Sequence, residues 1–413
     1  MIVTVVDALM GSGKTTWAID YMKQHQDQNF MYITPYLEET ERIINSTKPE
    51  RKFREPHRTS ATDGKLENIN ELIRNGWDIA STHELFKRFN EDTKYQLLSS
   101  PIDYTLIIDE TLDLVTPIQI KPTDIKLCID KGLISVDKEG ICKRAYDTSE
   151  YDGRFADIKQ IAQTNCMICV NNTFFIWRLD PEIFTGNYFS NIILLTYLFD
   201  GSIMKPYFEY FNIRYQKKSV KDGIFCEYYE PDIAKVASLI NLYDGPLNNK
   251  IEQKSSSLSA TWYKAKENAG SIKILKNNMT NYFRHIVNAK VEETIWSTFL
   301  EEGSTEENPK TLFGKNKYTA QFVSCNIRGT NKYRARSKLV YAINMFPNPG
   351  IQHYFAKKNL HINSNLYALQ SMLQWIWRSC IRDGKPIDIF IPSNRMRELF
   401  IHWMRNEPIP DRK

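Results

Sequence analysis

An α/β fold built on parallel sheets follows from three observations. An apolar, β-branched run at residues 2–6 breaks into a glycine-rich turn and then into helix-forming sequence. Strand-like runs at residues 29–34, 104–109 and 191–197 are apolar throughout rather than alternating, the pattern of strands covered on both faces. Helical stretches separate them, which is the rhythm of strand–helix–strand crossovers.

The turn after the first strand reads Ala8-Leu9-Met10-Gly11-Ser12-Gly13-Lys14-Thr15. Backbone N–H groups can wrap a polyphosphate only where side chains are absent, which explains Gly11 and Gly13 at the tightest part of the turn. Lys14 is then placed to reach the β and γ phosphates. Thr15 opens the helix, where its hydroxyl can ligate Mg²⁺ while the positive helix terminus faces the anion. Ala8, Gly11, Ser12, Gly13, Lys14 and Thr15 are therefore the expected nucleotide-binding residues, with ATP and Mg²⁺ as the cofactors.

Composition sets the frame for this motif. The chain has 413 residues, 42% hydrophobic and 25% charged, which is ordinary globular composition with room for two or three domains. A net charge of +5 permits a polyanionic partner without demanding one. Eight tryptophans are expected chiefly in cores. The first strand begins at once, no apolar run approaches the length of a membrane span, and seven cysteines suit reduced thiols. A cytoplasmic protein without membrane contact is expected. Cys166 and Cys169 form a C-x-x-C with Cys128 and Cys142 upstream, but the apolar setting favours structural thiols over a metal site.

After the first helix, a strand over residues 29–34 ends in Thr34-Pro35 and leads to an acidic helix over 37–45. Residues 51–70 read as a polar surface loop. A short strand over 78–83 carries Thr82 and His83 into a helix over 84–89. The strand ending at Asp109 and Glu110 supplies two carboxylates at its carboxyl end. A parallel sheet is expected to set that strand beside the phosphate-loop strand, so that Asp109 enters the Mg²⁺ coordination sphere and Glu110 orients the attacking water. The alternative is that both acids cap the following helix.

Residues 116–185, with a hairpin expected around 132–142, read as an insertion. Composition turns polar after residue 214, which places a domain boundary near 215, giving domains 1–215 and 216–413 with a mobile connection at 244–260. The second half repeats the α/β rhythm, with strands expected at 294–299, 319–325, 339–345 and 387–391, and it has no second phosphate loop. A helix over 367–382 would set Gln374, Arg378 and Arg382 on one face, each four residues apart. Such arginines can be merely solvated, or can be offered across a cleft to phosphates held by the first domain.

Taken in order, Ala8 to Thr15, Thr34-Pro35, Thr82-His83, Asp109-Glu110, the strand ending at Thr196, Arg328-Gly329-Thr330 and Gln374 to Arg382 resemble the motif series of superfamily 2 helicases over nearly the whole chain. The run Gln374-Trp-Ile-Trp-Arg378-Ser-Cys-Ile-Arg382 is similar to helicase-like proteins encoded by bacteriophages. Two departures stand out: Leu195-Thr196-Tyr197 replaces the Ser-Ala-Thr motif, and Trp377 replaces the glycine of the last motif.

The resemblance implies two RecA-like domains, with Gln374 at the nucleotide and with Arg378 and Arg382 stabilising the reaction's charge. It implies that Thr34, Pro35, Thr82, His83, Arg328, Thr330 and Asn331 hold a nucleic-acid backbone, a task suited to hydroxyl, imidazole and guanidinium groups. For Thr82 and His83 the alternative role is helix capping. The implied activity is ATP-dependent helicase or translocase action in phage replication or recombination. The track would be single-stranded or forked DNA, with RNA not excluded, and other replication or recombination proteins would be partners. A DNA-packaging terminase motor would need a carboxylate cluster in the second half, for which Asp383, Asp388 and Glu398 make a poor case. A nucleotide-gated binding switch is the third reading.

Overall fold

The computed structural model describes residues 1–58, 64–118, 120–144, 153–162, 166–170, 174–250, 254–299, 317–325 and 332–410. They divide into two compact units. The first comprises Met1–Ala8, Gly13–Tyr228 and Pro347–Ile362; the second comprises Leu9–Ser12, Tyr229–Phe346 and Asn363–Lys413.

The first unit is organised by an eight-stranded sheet. Its strands are β1 (Val3–Asp7), β2 (Asn29–Thr34), β3 (Phe53–Arg54), β4 (Asp78–Thr82) and β5 (Tyr104–Asp109), together with three strands from further along the chain. Between them the chain builds β6 (Val115–Ile118), β7 (Ile134–Val136), β8 (Cys142–Arg144), β9 (Met167–Val170) and β10 (Phe174–Arg178). It then returns with β11 (Asn191–Thr196), β12 (Tyr215–Lys221) and β13 (Ile224–Glu227). The order across the sheet is β13-β12-β1-β11-β5-β2-β4-β3, parallel except for β13. Every residue of β2 is buried, and β5 and β11 are buried but for one residue each. That two-sided burial is why these strands read as unbroken apolar runs.

The sequence-based expectations are corrected at several points. The strand bearing Asp109 is not next to β1, because β11 pairs with both and lies between them. Residues 51–70 contain the edge strand β3 and the start of the helix Lys65–Arg74, whose Ile69, Leu72 and Ile73 are buried. The first unit continues past residue 215, because β12 bonds to β1 and β13 closes the edge behind it.

The segment after β5 folds as an annex with its own core. Strands β6, β10 and β9 form an antiparallel sheet, and β7 and β8 form the expected hairpin. Cys128, Cys142 and Cys169 lie in its apolar cluster with Ile125, Ile134 and Phe175. Burial pushes the Cys142 thiol up to about 12, the behaviour of a structural thiol. The helix Pro349–Ala356, from far along the chain, packs on this annex and on the helix Met204–Tyr210, with Tyr354 stacked on Tyr210 at 5.0 Å.

The second unit holds a parallel four-stranded sheet of β14 (Ile240–Leu242), β15 (Thr294–Ser297), β16 (Lys338–Tyr341) and β17 (Ile387–Phe390), in the order β14-β17-β16-β15. The strand expected at 319–325 is replaced by a 3-10 turn, Thr319–Gln321, followed by a single bridge from Phe322 to Trp296. Leu247, Leu258 and Trp262 enter the core with Trp296, Tyr318 and Phe390. The amide of Asn344 donates to the carbonyls of Ser255 and Ser257 at 3.0 Å each. The described part of 244–260 is thus held by packing and hydrogen bonds rather than being a free connection. Among the described residues no helix is long and apolar enough to cross a membrane.

A buried ion pair fixes the β4 end of the first sheet. Arg51 donates to Asp78 through Nε at 2.9 Å and Nη2 at 2.7 Å, and to the carbonyls of His25 and Gln28 at 2.8 and 2.6 Å. Asp78 also accepts from the Phe30 amide at 2.8 Å. Replacing Arg51 with Ala strands a carboxylate that is only 10% exposed. We expect a loss of about 3–5 kcal/mol, read from the first urea transition; a loss under about 1 kcal/mol would show that water replaces the guanidinium.

Candidate nucleotide and nucleic-acid site

Sheet register assembles the site. Asp7 pairs with Thr196, Leu195 with Asp109, Ile33 with Ile108 and Thr34 with Thr82, so the polar ends of five strands fall along one carboxyl edge. In parallel α/β sheets this edge receives the ligand, because helix N-termini converge there and the strand ends leave room for side chains.

The loop after β1 has the backbone that its glycines permit. Gly11 and Gly13 take φ of 83° and 89°, a left-handed region that penalises a Cβ. Gly13 caps the helix Lys14–Gln24, which has no acidic residue in its first turn to compete with an anion. Lys14 Nζ donates to the Ala8 carbonyl at 2.6 Å. Burial draws the Lys14 ammonium down to about 8 against the pull of Asp7, Asp109 and Glu110. Among the described residues the buried Ser12 hydroxyl has no hydrogen-bond partner, as expected of a donor reserved for a ligand.

Across the edge, the Thr15 hydroxyl faces Asp109 Oδ2 at 3.5 Å, and the same oxygen accepts a hydrogen bond from the Tyr32 hydroxyl at 2.7 Å. Burial, reinforced by the charge of Glu110, pushes Asp109 up to about 6, while the Tyr32 bond opposes the shift. Glu110 has φ of 64°, strained for a side-chain-bearing residue, and its N–H donates to the Leu195 carbonyl at 2.9 Å. Thr15 and Asp109 form an all-oxygen pair suited to Mg²⁺, and with the orphaned Ser12 hydroxyl and the Lys14 ammonium the set fits a metal-bound polyphosphate.

Three participants lie outside the sequence-derived set. Asp7, the last residue of β1, is buried and accepts from the Leu198 and Phe199 amides at 2.8 and 3.0 Å. Its burial raises its pKa, opposed by Lys217 at 3.9 Å. Tyr32 is the second, and Lys217, paired also with Asp200, is the third. A polar residue ending an apolar strand was the available signal for Asp7; Tyr32 carries none, since it sits inside an apolar run.

The expected backbone-gripping residues fall at the same edge in part. The Thr34 hydroxyl, at the end of β2, is buried and has no hydrogen-bond partner among the described residues. Thr82 caps the helix His83–Phe86 by accepting from the Leu85 amide at 3.4 Å, so the capping role is the one observed. His83 Nε2 donates to the Asp109 carbonyl at 2.9 Å, which ties that helix to the acidic pair. Arg328, Thr330 and Asn331 lie outside the described residues.

The single helix face expected for Gln374, Arg378 and Arg382 is not formed. The helix Ser364–Ile376 ends two residues before Arg378, and Arg382 belongs to a 3-10 turn, Cys380–Asp383. Gln374 is half-buried, Arg378 buried and Arg382 exposed. Trp375 donates from Nε1 to the Val323 carbonyl at 3.2 Å and Trp377 packs edge-on against Trp403, both in the core. Asp383 and Asp388 pair separately with Arg334 and Lys338. Among the described residues, the group of acids close enough to share a cation is Glu91, Asp180 and Glu182, and the Lys94 ammonium already donates to all three.

Two family descriptions match parts of the chain. The family description "YonV middle domain" matches residues 115–177, the annex from β6 to β10, and "YonV C-terminal Rossmann-like domain" matches residues 234–404. The chain is 36% identical over 422 residues to the SPbeta prophage-derived uncharacterized protein YonV of Bacillus subtilis (strain 168), covering 98% of this chain and 99% of that protein. Among solved structures it is similar in fold to S. tokodaii Xpd4, at 12% identity and a TM-score of 0.50, covering 97% and 94% of the two chains. The DUF1998 helicase MrfA bound to DNA gives 11% identity and a TM-score of 0.36, covering 99% of this chain and 50% of that one.

The raised Asp109 carboxyl has a stability consequence with a definite sign. Its folded-state value, about 6, lies above the ordinary 3.8, so ionising it in the folded protein costs stability as pH rises between those values, and the full cost applies above them. That cost is roughly 3 kcal/mol or less. Asp109→Asn, which keeps an acceptor for Tyr32, is expected to raise the first urea midpoint at pH 7.5 and to change it little at pH 4; a lowered midpoint at pH 7.5 would contradict this account.

Proposed function

The chain belongs to the YonV family, and we propose that this member is an ATP hydrolase that couples turnover to translocation on nucleic acid or its unwinding, with phage or prophage DNA as the track. The observation that carries the proposal is the meeting of Thr15 and Asp109, 3.5 Å apart, beside Glu110 and under a glycine loop holding Lys14. Binding alone would need the loop and the lysine. A half-buried carboxylate pair, with Glu110 held at a strained φ, adds what hydrolysis requires.

In this reading the loop amides, Lys14 and Ser12 take the phosphates, and Thr15 and Asp109 hold Mg²⁺. Bound ATP·Mg²⁺ supplies a γ-phosphoryl group whose bond to ADP is broken by water. Glu110 orients that water and accepts its proton, and Tyr32 holds the Asp109 carboxylate in one rotamer. Lys14 exchanges the Ala8 carbonyl for phosphate oxygens, which restores its full charge. Thr34, Pro35, Thr82 and His83 lie along the edge where a phosphodiester backbone would be gripped, and Arg328, Thr330 and Asn331 join them in the reading drawn from superfamily 2 helicases. The same resemblance assigns Gln374, Arg378 and Arg382 to the nucleotide. His83, bonded to the Asp109 carbonyl, links the two tasks in one hydrogen bond.

The test is steady-state ATP hydrolysis with no polymer, single-stranded DNA, duplex DNA and single-stranded RNA. The wild type is expected to be stimulated by a DNA form, and Lys14→Ala and Glu110→Gln are each expected to lose about a hundredfold or more of the rate. Hydrolysis that survives Lys14→Ala would remove the site assignment. Turnover indifferent to every polymer would turn the reading toward a nucleotide-gated switch or a packaging motor.

A further inference from the structure

Trp17 and Phe225 stack on one another beside the phosphate loop, with ring centroids 4.8 Å apart and planes within 15°, and the chemistry described above uses neither. Trp17 lies in the first turn of the helix, two residues beyond Thr15. Phe225 comes from the antiparallel edge strand β13, opposite Val220 of β12. Val220 is buried in the same apolar cluster that Trp17 packs against, so Phe225 lies on the helix-bearing face of the sheet. It nevertheless remains 40% exposed.

The hairpin that carries Phe225 reaches the loop itself. Its tip, Asp222 and Gly223, has φ of 51° and 79°. A Cβ built on Gly13 would stand 3.2 Å from both the Cα and the N of Gly223, so the two glycine backbones are nearly in contact. On the other side, a Cβ built on Gly223 meets nothing within 4 Å. The tip thus closes against the last glycine of the loop and leaves its outer side open, and Thr16, the residue before Trp17, is exposed.

A polyphosphate whose β and γ phosphates meet Lys14 at the start of this helix has room for its nucleoside on the open side of the tip, beside the first turn. An exposed aromatic on an edge strand is a liability unless something covers it. We propose that Trp17, Phe225 and the Asp222–Gly223 tip form the nucleoside end of the nucleotide site, with the exposed ring of Phe225 as the stacking surface for a purine base. The inference rests on the reading that the loop holds a triphosphate. Stacking reads the π-face rather than the edge of a base, so this surface accepts adenine and guanine with little discrimination.

The test compares binding of ATP, GTP and inorganic tripolyphosphate, each with Mg²⁺, by calorimetry on the full chain. Phe225→Ala is expected to weaken ATP and GTP about tenfold and to leave tripolyphosphate unchanged. Phe225→Tyr, which keeps the ring, is expected to restore nucleotide affinity. Lys14→Ala is expected to weaken all three, and if it weakens none, the phosphate-loop reading fails independently of Phe225. Nucleotide affinity unchanged in Phe225→Ala overturns the inference, including the case where only single-stranded DNA binding falls. An equal loss for tripolyphosphate also overturns it, since the defect would then lie in the loop.

Discussion

A carboxylate carried at the end of a strand that is otherwise buried, Asp109, is the constraint on which the first unit turns. Its desolvation is severe, and the structure offsets only part of it: one hydrogen bond from Tyr32, a hydroxyl at Thr15 and the ammonium of Lys14 nearby. These partners come from two elements, Tyr32 from β2 and Lys14 and Thr15 from the helix Lys14–Gln24, so both elements must be in register with β5 for the charge to be tolerated. The parallel sheet supplies that register, since in it every strand ends at the same edge. Glu110 then follows with a strained backbone that the bond to Leu195 holds in place.

The same edge explains the placement of other buried polar groups. Asp7 receives two amides of the turn after β11, where Leu198 adopts φ of 56°, and so ties the ends of β1 and β11 together. Arg51 and Asp78 perform a comparable task nearer the opposite, amino-terminal ends of the strands, where no ligand is expected and the ion pair is closed by backbone carbonyls. One buried acid is thus sealed by a cation and Asp7 by backbone amides, whereas Asp109 is met chiefly by side-chain hydroxyls.

The annex between β5 and β11 and the helix Pro349–Ala356 belong together although some 170 or more residues of chain separate parts of them. The annex has its own apolar cluster, and its boundaries coincide with one of the two regions matched within the YonV family. It leaves the sheet order undisturbed because it leaves from β5 and returns through β11, which are neighbours.

Much of the first unit was legible from residue order. The glycine loop, the strands ending at Thr34, Thr82 and Asp109, and the hairpin near Gly140 follow from local pattern and turn chemistry. The edge strand β3 was not, since two residues carry no period, and the helix Lys65–Arg74 was masked by polar residues upstream despite its buried Ile69, Leu72 and Ile73. The spacing of Gln374, Arg378 and Arg382 suggested one helix face, but Trp377 caps the helix as its ring packs on Trp403, and the chain turns before the arginines align. By itself the sequence determined the conformation of the glycine loop after β1, because that conformation depends on glycine, lysine and hydroxyl residues adjacent in the chain. Only the tertiary structure decided that β11 stands between β1 and β5, that Tyr32 and Asp7 join the site and that Phe225 meets Trp17, because each depends on pairing between strands distant in sequence, which local periodicity does not encode.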